Sequence, residues 1–128
     1  MSTCQNMGDY LFVEVSEPYS LNKLIATIHE VAEHCQKENL NKVLVDISKM
    51  DGSPPMFDRY RLGLEMVKAW GPRIKVAVIA RPGIVNRMTE NTAVNRGAKV
   101  MAASDVEVAL NWLEVENHKE KPGAKFDD

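Results

Sequence analysis

The apolar positions of this 128-residue chain fall into two alternating rhythms. One is a short run with strand character. DYLFVEVS (9–16) is β-branched and aromatic and predicts a strand. KVLVDIS (42–48) and RIKVAVIA (73–80) are near-continuous apolar runs, the pattern of central parallel strands buried on both faces by helices. KVMAAS (99–104) is a weaker version of the same pattern, and Gly8-Asp9 is placed to close a hairpin between 9–16 and residues 2–6.

The other rhythm has three- and four-residue steps. From Ser20 to about Glu38, Leu21, Leu24, Ile25, Ile28, Val31, Ala32 and Cys35 make one apolar stripe. His29, Glu30, Glu33, His34 and Lys37 fall off it, and Asn39 and Asn41 bracket its end. Over 57–70, Tyr60, Leu64, Val67 and Trp70 form a row widened by Leu62 and Met66, with Asp58 as N-cap and Gly71-Pro72 as stop. A third helix runs from about Ile84 to Arg96 and ends at Gly97. SDVEVALNWL starts a fourth with a capping box between Ser104 and Glu107, and turns Val106, Ala109, Leu110 and Leu113 inward.

Strands alternating with helices predict an α/β fold: a mostly parallel four- or five-stranded sheet, about four helices, right-handed crossovers and an antiparallel N-terminal edge. One domain is expected over 1–117, with the charged run 118–128 as a frayed tail.

Composition narrows the function classes. Apolar residues at 45 % and charged residues at 27 % suit a water-exposed globular domain, and no apolar run approaches the ~20 residues that span a bilayer. MSTCQNMGDY has neither the basic nor the apolar region of a signal peptide, so a cytoplasmic location is expected. Cys4 and Cys35 lie far apart without a CxxC, giving neither a disulfide framework nor a zinc site. Cys35 reads as a buried small hydrophobe and Cys4 as a free thiol near a terminus. Net charge is −2, yet residues 57–100 carry nine basic and three acidic side chains. That local surplus fits either a face that attracts anions or a pair of well-solvated helices. The basic residues are scattered, the isoelectric point is about 5.9, and nucleic acid is not an expected partner.

LVDISKMDGSPPMFDRYRLG, KVAVIARPG, ENTAVNRGAKV and SDVEVALNWL resemble the SpoIIAA-like, or STAS-like, group of small bacterial domains, over about residues 40–113. The matching features are Asp46, the helix start Asp58-Arg59-Tyr60, the helix end Asn95-Arg96-Gly97 and the closing Ala109-Leu110-Asn111-Trp112-Leu113. The resemblance implies a STAS-like fold and a non-enzymatic regulatory or binding module. Its anti-sigma-factor antagonists carry a phosphorylatable serine in an Asp-Ser-Ser-Gly or Asp-Ser-Thr-Gly run at the second helix start. Here Asp58-Arg59-Tyr60-Arg61 stands in that place, so the serine switch is not expected; the nearest hydroxyl, Ser53, sits in a Gly-Ser-Pro-Pro turn. Some relatives are grouped with SEC14-like lipid carriers, which implies as an alternative a carrier or sensor of an anionic or lipidic small molecule, in a cavity lined by Phe57, Tyr60, Leu64 and residues of the facing elements.

The residues themselves place any site at the carboxyl edge of the parallel strands, where strand order would reverse. Asp46, Ser48, Asp51, Gly52, Ser53, Asp58, Arg59 and Tyr60 come from one loop, and Arg81, Gly83 and Arg87 from the next. Of these, Asp46, Ser53, Asp58, Arg59, Tyr60 and Arg81 are the binding candidates. Helix N–H groups and forked arginines there suit an anion. The simpler alternative has Asp58 occupying those N–H groups and the arginines paired with Asp46 and Asp51. Met56 and Phe57 are expected to staple the helix; left exposed, they would offer an apolar patch to a partner or lipid surface. GxSxG, P-loop, GxGxxG and HExxH motifs do not occur. His29 and His34 are five apart and His118 lies in the tail, so neither catalysis, a cofactor nor a metal is expected. Trp70 and Trp112 near helix ends leave room for a homo-oligomer.

Overall fold

The computed structural model describes residues 2–82 and 87–115. In chain order they form β1 (Ser2–Asn6), β2 (Leu11–Val15), α1 (Leu21–Glu38), β3 (Lys42–Asp46), α2 (Met56–Trp70), β4 (Lys75–Ile79), α3 (Arg87–Val94), β5 (Lys99–Ala103) and α4 (Val106–Leu113). The five strands lie in the order β1-β2-β3-β4-β5. β1 is antiparallel to β2, and every later pair is parallel. This is the expected α/β architecture. The two most apolar runs lie side by side pointing the same way, with Val43 opposite Val76 and Val45 opposite Val78.

Each strand is laid beside its predecessor in a single direction, so right-handed crossovers deliver α1, α2 and α3 to one face. Alternation along the strands then divides the core. Val13, Val43, Val45, Val76 and Val100 point to the three-helix face. Phe12, Leu44, Ala77 and Ile79 meet Ala109, Leu110 and Leu113 of α4 on the other.

Side-chain and backbone chemistry fixes the helix limits. Ser20, extended, accepts from the Lys23 N–H through Oγ, and Asn39 ends α1 in the left-handed region at φ 58°. Trp70, at the end of α2, is 2 % exposed and donates its indole N–H to the Ile28 carbonyl at 2.9 Å, tying α2 to α1. A second tie is ionic. Buried Glu65 meets His29 Nε2 at 3.0 Å, Arg61 Nε at 3.4 Å and Lys68 Nζ at 3.5 Å.

Three sequence expectations need correction. α2 starts at Met56 with Pro55 as its N-cap and no side-chain cap bond, so Asp58 is a first-turn residue and not the cap. Two consecutive prolines hold the chain extended and deliver it straight into the helix. This early start also undoes the expected staple. The residue before the cap is Pro54 and the fourth helical residue is Arg59, so the staple positions fall on that pair and not on Met56 and Phe57. Met56 and Phe57 remain 68 % and 88 % exposed. The buried face of α2 is accordingly centred on Leu62, Ala69 and Trp70, leaving Tyr60 43 % exposed. In α4 the N-cap is Asp105, whose carboxylate accepts from the Glu107 N–H at 2.8 Å, rather than Ser104. Gly97 ends the α3 segment at φ +101° as expected. The predicted start near Ile84 and the tail 118–128 lie outside the described residues. No helix among the described residues is long and apolar enough to cross a membrane.

The Glu65 cluster yields a stability prediction. Its hydrogen bond with His29, reinforced by Lys68 and Arg61 and opposed by burial, holds the Glu65 carboxyl below its ordinary value of 4.5. A depressed carboxylate stabilises the fold above its unfolded pKa and stops doing so as pH falls through the folded value. In chemical denaturation, Glu65→Ala should cost about 0.5–1.5 kcal/mol near neutrality, the net worth of a hydrogen bond whose remaining partners stay in reach of water. Glu65→Gln should remove the part of the acid-induced stability loss that begins just below pH 4.5.

Candidate functional site

The loop from β3 to α2 crosses the carboxyl edge of the parallel strands. The strand order never reverses, so this edge has no topological switch point, contrary to the sequence expectation. The cause is the one-directional layout: consecutive crossovers never separate, and no crevice opens between diverging helices. A site at this edge has to be built by the loop itself and by whatever space lies beneath α1 and α2.

Asp46 ends β3 on the face shared with Leu44, and its Oδ1 accepts from the Ser48 N–H at 2.8 Å and the Ser48 hydroxyl at 2.6 Å. It closes its own loop. Ser53 is exposed in the turn. Asp58 accepts the Tyr19 hydroxyl at 2.6 Å, while the Tyr19 N–H donates to the Asp51 carbonyl at 2.7 Å. Burial first, then the Asp58 hydrogen bond, pushes the Tyr19 phenol well above its usual range. Arg59 Nε donates to the Pro54 carbonyl at 2.8 Å and bends its half-buried side chain back under the loop. Arg81 is exposed and reaches the Gly52 carbonyl at 3.5 Å. Tyr60 is turned to the α3 side, with the Arg96 guanidinium 5.6 Å from its ring centre.

The structure therefore gathers Asp58, Arg59 and Arg81 around the 51–54 backbone but assigns Asp46 to its own turn and Tyr60 to α3. Arg59 Nε and the Arg81 guanidinium each donate to a backbone carbonyl of the loop, so both arginines contact its main chain. Gly83 lies outside the described residues, as does the side chain of Arg87. The basic surplus of 57–100 is likewise dispersed. Lys75 packs on Trp112 on the α4 face, Arg61 and Lys68 serve Glu65, and Arg73 bonds the Ala69 carbonyl.

Sequence reasoning missed Tyr19, which joins the β2–α1 connection to α2 across 39 residues. The one available signal was an aromatic immediately before the Ser20 cap. It also missed the space behind the loop. Between α1, α2 and strands β3 to β5 lies a cavity of about 110 Å³. Val45, Val78 and Val100 form its floor, Ile28, Leu62 and Trp70 its roof, and Pro54 and Arg59 bring it to the 49–62 loop. Arg59 and Glu90 are the two charged residues among its walls. Phe57, Tyr60 and Leu64, from which the sequence would have built such a pocket, are not part of it. Among the described residues, no group of three or more His, Cys, Asp or Glu side chains is arranged to hold a metal ion.

No protein-family model matches the chain, and no curated protein matches it. In three dimensions it is similar to an uncharacterised protein of the DUF3478 family with a SpoIIAA-like fold from Shewanella loihica PV-4. The two are 20 % identical, the match covers 88 % of this chain and 92 % of that one, and the TM-score is 0.49. The strand order and directions given above establish the architecture of this chain.

The Tyr19–Asp58 bond is directly testable. Tyr19→Phe and Asp58→Ala should each cost about 1–2 kcal/mol in urea unfolding, and the double variant no more than the larger single one, because both remove the same charge-assisted bond. Additive losses would mean that Asp58 serves the helix separately, as a cap would.

Proposed function

We propose that the chain is a non-enzymatic binding module whose working region is the 49–62 loop with the helix that follows, and that its ligand is a small apolar molecule held beneath α2. The observation that supports this reading is the cavity. Protein interiors are packed like organic crystals, and an unfilled void is costly. The walls of this cavity are almost wholly apolar, and a fitting ligand would make the contacts that the pocket leaves unmade. The volume sets the class. An apolar cavity of ~150 Å³ is known to admit benzene, so a single ring or short branched alkyl group suits this one, and a long acyl chain does not. One cation and one anion at the rim give no net preference for an acidic ligand. This favours a small apolar ligand over an anionic one, and over a long-chain lipid as well.

Trp70 lines the cavity and reports on it. In a Trp112→Phe background, titration with benzene or toluene should change Trp70 emission saturably and raise the melting temperature. Ala102→Leu, which places a larger side chain in the cavity wall, should abolish the response and itself stabilise the protein by up to about 2 kcal/mol. A linear, unsaturable quench that is the same in Ala102→Leu would refute the reading.

A second reading rests on Met56 and Phe57, exposed at the tip of α2 on a proline-stiffened loop. Consecutive large apolar side chains left in water suit a protein partner pressed against this tip. Replacing both with Ser should change stability by less than about 0.5 kcal/mol, because neither is packed. A larger loss in thermal unfolding would show that they belong to the core.

A further inference from the structure

The two cysteines, remote in sequence, are brought to the same layer of the molecule. Cys35 belongs to the core cluster on the three-helix face, and Cys4 packs against that cluster from β1. Cys4 and Asn6 share one face of the strand. Cys35 and Glu38 share one face of the helix, a turn apart. The outer pair is joined, with Asn6 Nδ2 donating to Glu38 Oε1 at 2.6 Å, which brings the end of β1 beside the end of α1. Both elements run opposite to β2: β1 by its antiparallel pairing, and α1 because it returns from β2 to the start of parallel β3. From Asn6 to Cys4 the strand travels about 6.7 Å, and from Glu38 to Cys35 the helix travels about 4.5 Å in the same direction. By backbone rise, Cys4 and Cys35 thus stand at nearly the same level along that axis, on facing sides of β1 and α1. Their proximity is felt electrostatically. Burial chiefly, then the Cys4 thiolate and Glu38, push the Cys35 thiol up to about 11.

We propose that Cys4 and Cys35 are a modification site: they form a reversible intramolecular disulfide that staples edge strand β1 to α1. The oxidant is a low-molecular-weight disulfide such as oxidised glutathione. Cys4, the less buried thiol, attacks one glutathione sulfur as its thiolate; the glutathione S–S bond breaks and one glutathione thiolate leaves. The Cys35 thiolate then attacks the Cys4 sulfur of this mixed disulfide, forming the Cys4–Cys35 bond and releasing the second glutathione thiolate. The protein loses two electrons, the glutathione disulfide gains them, and the two cysteine protons end on the two glutathione thiols. The thiolate is the reactive form and burial disfavours it, so the reaction is slow at neutral pH and accelerates as pH rises.

The full chain is incubated with oxidised glutathione at about pH 8.5, near the ordinary cysteine pKa, then alkylated and digested with trypsin. The expected product is a monomer two hydrogens lighter, with a cross-linked peptide joining residues 1–23 to 24–37. Its melting temperature should rise by roughly 5 °C or more and return on reduction, because the bond constrains the unfolded chain. Cys4→Ser, altered at a partly exposed edge position, should fold normally and show neither the cross-link nor the rise. Separate glutathione adducts on the two cysteines, a chain-to-chain cross-link, or thiols left unreacted by the same exposure would each overturn the proposal.

Discussion

The parallel pairing of β3 with β4, apolar on both sides, is the constraint from which the rest of this molecule follows. Buried strands of this kind need cover on two faces. The chain meets that need unevenly, because each new strand is added at the same edge. Three consecutive helices collect on one face, and among the described residues the other is covered by α4. The crowded face contains Trp70, and its size together with its bond to the Ile28 carbonyl sets how closely α1 and α2 approach the sheet. The strand residues that line the pocket are short, Val45, Val78, Val100 and Ala102, and do not span that separation. A gap beside the loop is the geometric consequence.

The same layout explains why the charged residues do not assemble a site of the expected kind. Helices that never diverge leave no crevice for an anion, and the donors at this edge turn inward instead. Arg59 and Arg81 hold the Pro54 and Gly52 carbonyls, and Tyr19 holds Asp58. These bonds tie the loop to the first turn of α2 and to the β2–α1 connection, beside the cavity. The loop's polar residues support the site's wall, and the apolar space supplies the selectivity.

The strands and their directions were legible because apolar runs such as KVLVDIS and KVAVIA carry their burial on their face. Helix spans were legible for the same reason, and Ser20 and Gly97 ended or opened helices as their chemistry requires. The caps of α2 and α4 were not. Adjacent candidates compete there, Pro55 with Asp58 and Ser104 with Asp105, and the winner depends on a backbone angle that no residue type fixes alone. Tyr19–Asp58 and His29–Glu65 join positions 39 and 36 residues apart, so no local pattern announces them. The cavity was the least legible feature. A void depends on how far apart two layers stand, and that distance is set by a single large side chain against many small ones.

The central claim, that the space under α2 is a dry apolar compartment able to accept a guest, is tested most directly by diffraction from a crystal pressurised with xenon. A xenon peak enclosed by Val45, Val78, Leu62 and Trp70 is the predicted result. An empty difference map, with Leu62 and Met66 collapsed onto the sheet, would contradict it.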